Sequence, residues 1–190
     1  MKDKAGFIVM VVGPIILLVG ASALYSQLTR ETPPPEQLST QPTETTGEDE
    51  PLQQAPDFTV YDLQGNPVQL STYFGKPIVL NFWASWCGPC QSEMPDFQKK
   101  FLELGNDIQF LMVNVTDGSR ETVSIASAFI SQQGYTFPVL YDTDTNAAMT
   151  YGVYSLPTTL FIDAQGYLVA QATGAIDAAT LQRGIDMIKD

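Results

Sequence analysis

The chain has two cysteines, three residues apart, in Trp86-Cys87-Gly88-Pro89-Cys90. Two thiols at that spacing can close a disulfide on each other, supply half of a zinc site, or simply fill a core. Zinc takes about four ligands, and the sequence contains no histidine and no further cysteine. A metal would have to recruit carboxylates or a second chain, so the expectation is a site without metal. Dithiol–disulfide exchange needs only the pair, and no cofactor beyond a redox-active Cys87–Cys90 disulfide. The flanking pattern says how the pair is held. Ile78 to Ala84 is a nearly continuous apolar run, as expected of a strand buried on both faces. From Cys90 the apolar residues fall at Met94, Phe97, Phe101 and Leu104, in steps of four and three, the stripe of an amphipathic helix. Cys87 then stands at the tip of a helix that begins where the strand ends, and Cys90 stands one turn in, on the buried stripe. Unpaired N–H groups and the positive end of the helix dipole favour a thiolate at the tip. Cys87 is therefore the accessible nucleophile. Cys90 is the resolving thiol, shielded until a mixed disulfide on Cys87 must be released.

Glu93 follows Cys90 by three and shares its side of the helix. An acid in the first turn suits the dipole, which alone accounts for it. A second role follows from the chemistry: a thiol leaving group needs a proton donor and a buried thiol needs a base. Trp83 and Trp86 flank the pair, Trp83 reading as core and Trp86 as docking surface. The absence of histidine excludes Ser-His-Asp and Cys-His catalysis, and His-ligated haem or copper, within this chain. Nine Lys and Arg against 21 Asp and Glu give a net charge of −12. That balance lacks the basic footprint of a nucleic-acid binder.

Taken in order, the chain opens with Lys2 and Lys4 before an uncharged segment, residues 5–25. At about 1.5 Å per residue it is long enough to span a bilayer core. Ala21-Ser22-Ala23 resembles a cleavage site, so a cleaved signal peptide is the rival reading. The run exceeds the usual signal-peptide core of about 7–15 residues, which favours an uncleaved signal-anchor held in membrane lipid. The lysines place residues 1–4 in the cytoplasm and the rest of the chain outside the membrane. Residues 26–54 follow as a tether; from 31 to 51 they carry six acidic and no basic residues, a composition that stays extended or disordered.

Residues 55–190 have the length of one domain. Phe58 to Asp62, Gln64-Gly65-Asn66 and Val68 to Leu70 read as a hairpin. Beyond the cysteine helix, Ile108 to Val115 is a second buried strand, and Val123, Ala126, Phe129 and Ile130 space out a helix that ends before Gly134. Phe137 to Tyr141 reads as a strand, Asn146 to Gly152 as a helical turn, Leu156 to Asp163 as a strand and Tyr167 to Thr173 as its hairpin partner. Asp177 can cap a last helix with Leu181, Ile185 and Ile188 facing inward.

Trp86-Cys87-Gly88-Pro89-Cys90 matches the thioredoxin active site, and Pro95, five residues after Cys90, matches the helix-kinking proline of that family. Ala55-Pro-Asp-Phe-Thr-Val-Tyr-Asp-Leu63 with Gly65, Val68 and Gly75-Lys76 resembles the N-terminal hairpin of the TlpA/ResA branch, and the pair formed by Phe137–Tyr141 and Asn146–Gly152 resembles its insertion. The resemblance covers residues 55–190. It implies an α/β thioredoxin-like fold, a central mixed β-sheet flanked by helices, with an N-terminal β-hairpin and a central strand–helix insertion, preceded here by a single transmembrane helix. It implies a membrane-anchored, extracytoplasmic thiol–disulfide oxidoreductase. It further implies a cis Leu156–Pro157 bond beside the cysteines, with substrate contacted by Trp86, Gly88, Pro89, Leu156 and Pro157. Thioredoxin carries a buried proton-transferring aspartate where this chain has Asn81, whereas several TlpA/ResA proteins carry a glutamate matching Glu93. Gly88-Pro89 is the dipeptide of thioredoxin, the reducing extreme at about −270 mV, which favours a reductase of exported disulfide-bearing proteins. Such a reductase implies a thiol-reducing electron donor in the membrane, and the thiols of apocytochrome c as a substrate class. The rivals are an exported oxidant or isomerase, a thiol peroxidase and a non-enzymatic binding module. The peroxidase motif Pro-x-x-x-Thr/Ser-x-x-Cys is absent, with Leu80 and Ala84 at its first two fixed positions.

Overall fold

The computed structural model of the chain describes residues 38–40 and 52–189. Among them eight strands form one sheet: β1 (Leu38–Thr40), β2 (Thr59–Tyr61), β3 (Pro67–Gln69), β4 (Ile78–Trp83), β5 (Gln109–Asn114), β6 (Val139–Tyr141), β7 (Thr158–Ile162) and β8 (Leu168–Thr173). Their order across the sheet is β1-β8-β7-β4-β5-β6-β2-β3. Four α-helices accompany them: α1 (Gly88–Leu104), α2 (Val123–Gln133), α3 (Asn146–Thr150) and α4 (Ala178–Ile188). Strand β4 is the axis, pairing in parallel with β5 and antiparallel with β7. All six of its residues are buried, as its unbroken apolar run requires.

The two faces of β4 serve two cores. Ile78, Leu80 and Phe82 point into one, shared with Leu111, Val113, Leu160 and the N-terminal Phe58 and Val60. Val79 and Trp83 point into the other, with Met94 and Phe97 of α1 and Leu181, Ile185 and Ile188 of α4. The pleat has a period of two, so Asn81 falls on the same side as Val79 and Trp83. A polar residue is thereby buried beneath α1.

Local chemistry sets the element ends. Thr122 caps α2 by accepting from the Ile125 N–H, and Gly134 ends it in the left-handed region at φ 72°. Asp177 caps α4 by accepting from the Thr180 N–H at 2.8 Å. The hairpin turn closes around Asp62, whose carboxylate accepts from the backbone N–H groups of Gln64 and Asn66 and from the Asn66 side chain. The insertion docks onto that hairpin, with the Asn146 side-chain oxygen Oδ1 accepting from the Thr59 N–H and the Tyr61 hydroxyl donating to Asp144.

Several expectations are modified. The stretch 26–54, read as a tether, contributes β1, which pairs antiparallel with β8. An edge strand offers a row of unpaired backbone groups, and a partner strand bonded through its backbone needs no apolar sequence of its own. The strand expected over Phe137–Tyr141 begins only at Val139; Pro138 has no N–H, and the Thr136 N–H is taken by the Gln98 side chain. The N-terminal hairpin extends the main sheet, because β2 pairs with β6. Residues 1–4, the segment 5–25, the Ala21–Ala23 site and all of 26–54 except 38–40 and 52–54 lie outside the described residues. Among those described, no helix is long and apolar enough to cross a membrane.

Helix α4 lies so close to β7 that a Cβ on Gly184 would overlap the Phe161 ring. The Gly184→Ala variant is expected to lose about 1–3 kcal/mol of stability by overpacking, although alanine is the better helix former by about 1 kcal/mol. Urea denaturation measures the difference, and a stabilised variant would show that the two elements can separate freely.

Candidate active site

Strand β4 ends at Trp83, and α1 begins five residues later. Cys87 is the N-cap of α1, and the Cys90 N–H points at its sulfur at 3.2 Å. Pro89 occupies the first turn, where its missing N–H leaves no bond unmade. The two cysteines are joined as a disulfide with their Cα atoms 5.2 Å apart. Cys90 is fully buried and Cys87 is 5% exposed. In the oxidised state the nucleophile is therefore more covered than its place at a helix tip suggests. The difference between the two sulfurs survives, because Cys87 lines the adjoining groove and Cys90 does not. Pro95 lies inside α1.

One turn beyond Cys90, Glu93 is 2% exposed, beneath the helix that carries the pair. Its carboxylate accepts from the Asn81 side-chain amide at 2.8 Å and from the Ile176 N–H at 2.9 Å. Asn81 also donates to the Thr159 hydroxyl at 3.0 Å. Burial raises the Glu93 pKa to about 7, the two donated hydrogen bonds offsetting it only in part. A buried, weakly acidic carboxyl three residues from a buried thiol can take up or release a proton near neutrality. Glu93 is the sixth residue of α1 and so lies beyond its first turn, not in it as the sequence suggests, because the helix starts at Gly88.

A groove of about 520 Å³ adjoins the pair, lined by Trp86, Cys87, Gly88 and Pro89 on one side and by Val153, Tyr154, Ser155 and Leu156 on the other. The Leu156–Pro157 peptide bond is cis. The groove brings Trp86, Gly88, Pro89 and Leu156 together with Cys87; Pro157 is buried behind Leu156 at the start of β7. Trp86 is 41% exposed while Trp83 is fully buried, so the two indoles divide as surface and core. Tyr154, 99% exposed at the groove mouth, drew no attention in the sequence because a single aromatic in a loop carries no periodicity.

A second buried carboxylate escaped the sequence reading altogether. Glu121 is fully buried. It accepts from the Ser85 N–H at 2.8 Å, the Ser85 hydroxyl at 2.6 Å and the Asn114 side chain at 2.7 Å. It thereby ties the loop after β5 to the turn that carries Trp86 and Cys87. Its neighbour Arg120 lies over the Trp86 ring, 3.8 Å from the centroid. Among the described residues no group of three or more His, Cys, Asp or Glu is placed to hold a metal ion.

Residues 51–171 match the model of the AhpC/TSA family. Over 136 residues, 71% of this chain and 76% of its relative, the sequence is 35% identical to the thiol-disulfide oxidoreductase ResA of Geobacillus kaustophilus. Among solved structures, it is similar to the pneumococcal exposed lipoprotein thioredoxin Etrx1 of Streptococcus pneumoniae, with a TM-score of 0.58 and 34% identity over 69% of this chain and 98% of that one. It is also similar to a DsbF homologue from Corynebacterium diphtheriae, with a TM-score of 0.63 and 30% identity over 82% of this chain and 96% of that one.

Proposed function

The chain belongs to the AhpC/TSA family and is a thiol–disulfide oxidoreductase of the ResA type, and from that premise we propose that it reduces protein disulfides at the outer face of the cytoplasmic membrane. The observation that carries the reading is the Cys87–Cys90 pair at the tip of α1, open to a peptide-sized groove through Cys87 and backed by Glu93.

In the reduced enzyme the Cys87 thiolate attacks one sulfur of a substrate disulfide. A mixed disulfide forms and the other substrate sulfur leaves as a thiolate, which takes a proton. Glu93, as carboxylate, accepts the Cys90 proton. The Cys90 thiolate then attacks Cys87, closing the enzyme disulfide and releasing the second substrate thiol. Two electrons pass from the dithiol to the substrate. The groove residues Trp86, Gly88, Pro89 and Leu156 hold the substrate chain while this happens, with Pro157 buried behind Leu156 and shaping the backbone there.

Recharging requires an electron donor that reduces Cys87–Cys90 outside the cytoplasm, and a thiol-reducing membrane protein is the partner of that kind. Residues 5–25, flanked by Lys2 and Lys4, support anchoring with the catalytic domain exported, and the pneumococcal relative is itself an exposed lipoprotein. Oxidised apocytochrome c is the substrate class proposed first, since its thiols must be free before haem attachment.

Direction is decided by potential. Gly88 and Pro89 add no charged or hydrogen-bonding side chain beside Cys87, so its thiolate is only moderately stabilised. The pair should therefore lie near about −270 mV, far below the value of about −120 mV of a strong oxidant. Equilibrating the purified full-length protein with glutathione buffers and counting free thiols measures it. A value near that of the oxidant would make the protein an exported disulfide donor.

A further inference from the structure

The groove around Cys87 has one charged lining residue among those described, Arg120. A lone cation there stands out in a chain of net charge −12. The carboxylates beside it in sequence are already engaged. Asp117 accepts from the backbone N–H groups of Ser119 and Glu121. Glu121 turns inward to Ser85 and Asn114. Among the described residues the one ion pair is Lys100–Glu103, so Arg120 has no carboxylate partner there.

Its position is nevertheless held. Glu121, next to Arg120, is bonded through both carboxylate oxygens to Ser85, next to Trp86. The two loops are thereby clamped at adjacent residues, and the guanidinium rests on the indole face at 3.8 Å. A guanidinium stacked on an aromatic ring keeps its N–H edge free for a carboxylate. Stacking also limits the rotamer freedom lost when that contact forms.

We propose that Arg120, braced on Trp86, makes the enzyme select substrate segments that carry a carboxylate beside the reacting cysteine. The proposal rests on the reading of the chain as a reductase of protein disulfides, and it names a feature of that substrate. Attraction between the guanidinium and such a carboxylate favours docking over the groove, while a lysine at the same place is repelled.

The test uses the full-length protein in neutral detergent, recycled by a small uncharged dithiol. Three disulfide peptides are compared that differ only in Asp, Asn or Lys next to the cysteine. At low ionic strength the wild type should prefer the Asp over the Lys peptide by about tenfold in kcat/KM, expressed in KM, the order expected for two partly exposed charge contacts of opposite sign. The ratio should shrink with added salt. It should fall to near one in Arg120→Gln and survive in part in Arg120→Lys. Any effect of the cation on Cys87 reactivity acts on all three peptides alike and cancels in the ratio. Equal kcat/KM for the three peptides in the wild type, or an undiminished ratio in Arg120→Gln, overturns the selectivity and leaves the reductase reading standing. Failure to reduce any of the peptides overturns both.

Discussion

Replacing Cys87 by serine is expected to lower disulfide reduction at least about a thousandfold, because a hydroxyl does not ionise near neutrality and the thiolate is the attacking species. Nothing else at the site can substitute. Cys90 is fully buried, and the groove opens onto Cys87 alone of the pair. The helix-tip N–H that points at the sulfur would remain, so the loss isolates the nucleophile and not the site that activates it. Cys90→Ala should behave differently. Attack by Cys87 proceeds but resolution does not, and a stable mixed disulfide with substrate accumulates. Mass spectrometry of the non-reduced product from a stoichiometric mixture shows the adduct on Cys87. Retention of more than about a tenth of the activity by Cys87→Ser would place the chemistry elsewhere, whereas an unaltered ability to hold unfolded substrate without reducing it would point to a binding module.

The second large effect concerns stability. Glu93 titrates near 7 in the folded protein, because burial disfavours its charge, against an ordinary value of 4.5. Below both values the carboxyl is protonated in the folded and unfolded states alike. Between them the folded state holds a proton that the unfolded state has lost, so stability falls as pH rises. Above about 7 the full difference has been lost, about 3 kcal/mol by linkage. This is the reverse of the usual salt-bridged carboxylate, which stabilises at high pH. Glu93→Gln removes the titration but keeps the shape. Its carbonyl can accept from the Ile176 N–H, and once the Asn81 side chain turns its amide can donate to Asn81 Oδ1, which in the present arrangement is buried without a hydrogen-bond partner among the described residues. The variant should match the wild type at pH 4.5 and exceed it by about 2–3 kcal/mol at pH 8, as read from urea denaturation of the oxidised proteins. Other carboxylates contribute equally to both and cancel. A difference that does not change with pH would show that Glu93 titrates normally. On the proposed mechanism the same variant resolves mixed disulfides more slowly, so stability is given up at this position for proton transfer.

The redox pair was legible because its determinants are local. A strand, a turn and an amphipathic stripe meet within a few residues of Cys87, and each leaves a periodicity or a cap in the sequence. The same holds for α2 between Thr122 and Gly134 and for α4 after Asp177, whose capping bonds span three residues. Glu93 was visible as a position but ambiguous as a group. Its spacing from Cys90 follows from the helix, whereas its burial depends on Asn81, 12 residues away, and Ile176, 83 residues away. The partnership of Leu156 with Cys87 came from family resemblance, since the groove joins segments nearly seventy residues apart.

Glu121 and Arg120 mark where the sequence falls silent. In the chain they are two adjacent charges in a polar loop, the pattern of a solvated surface, and nothing within several residues distinguishes them. Only the parallel pairing of β4 with β5 brings the loop after β5 over the turn at Ser85. That placement buries one charge and leaves the other on the Trp86 ring. Strand β1 is a similar case, since its pairing uses backbone groups that every sequence carries. The sequence by itself therefore determined the fold class and the redox-active cysteine pair, because hydrophobic period and helix capping act over one or two turns of chain. The tertiary structure alone decided which carboxylates lose their water and which cation faces the groove, because desolvation depends on what distant segments cover each group, and that information is not held in any local pattern.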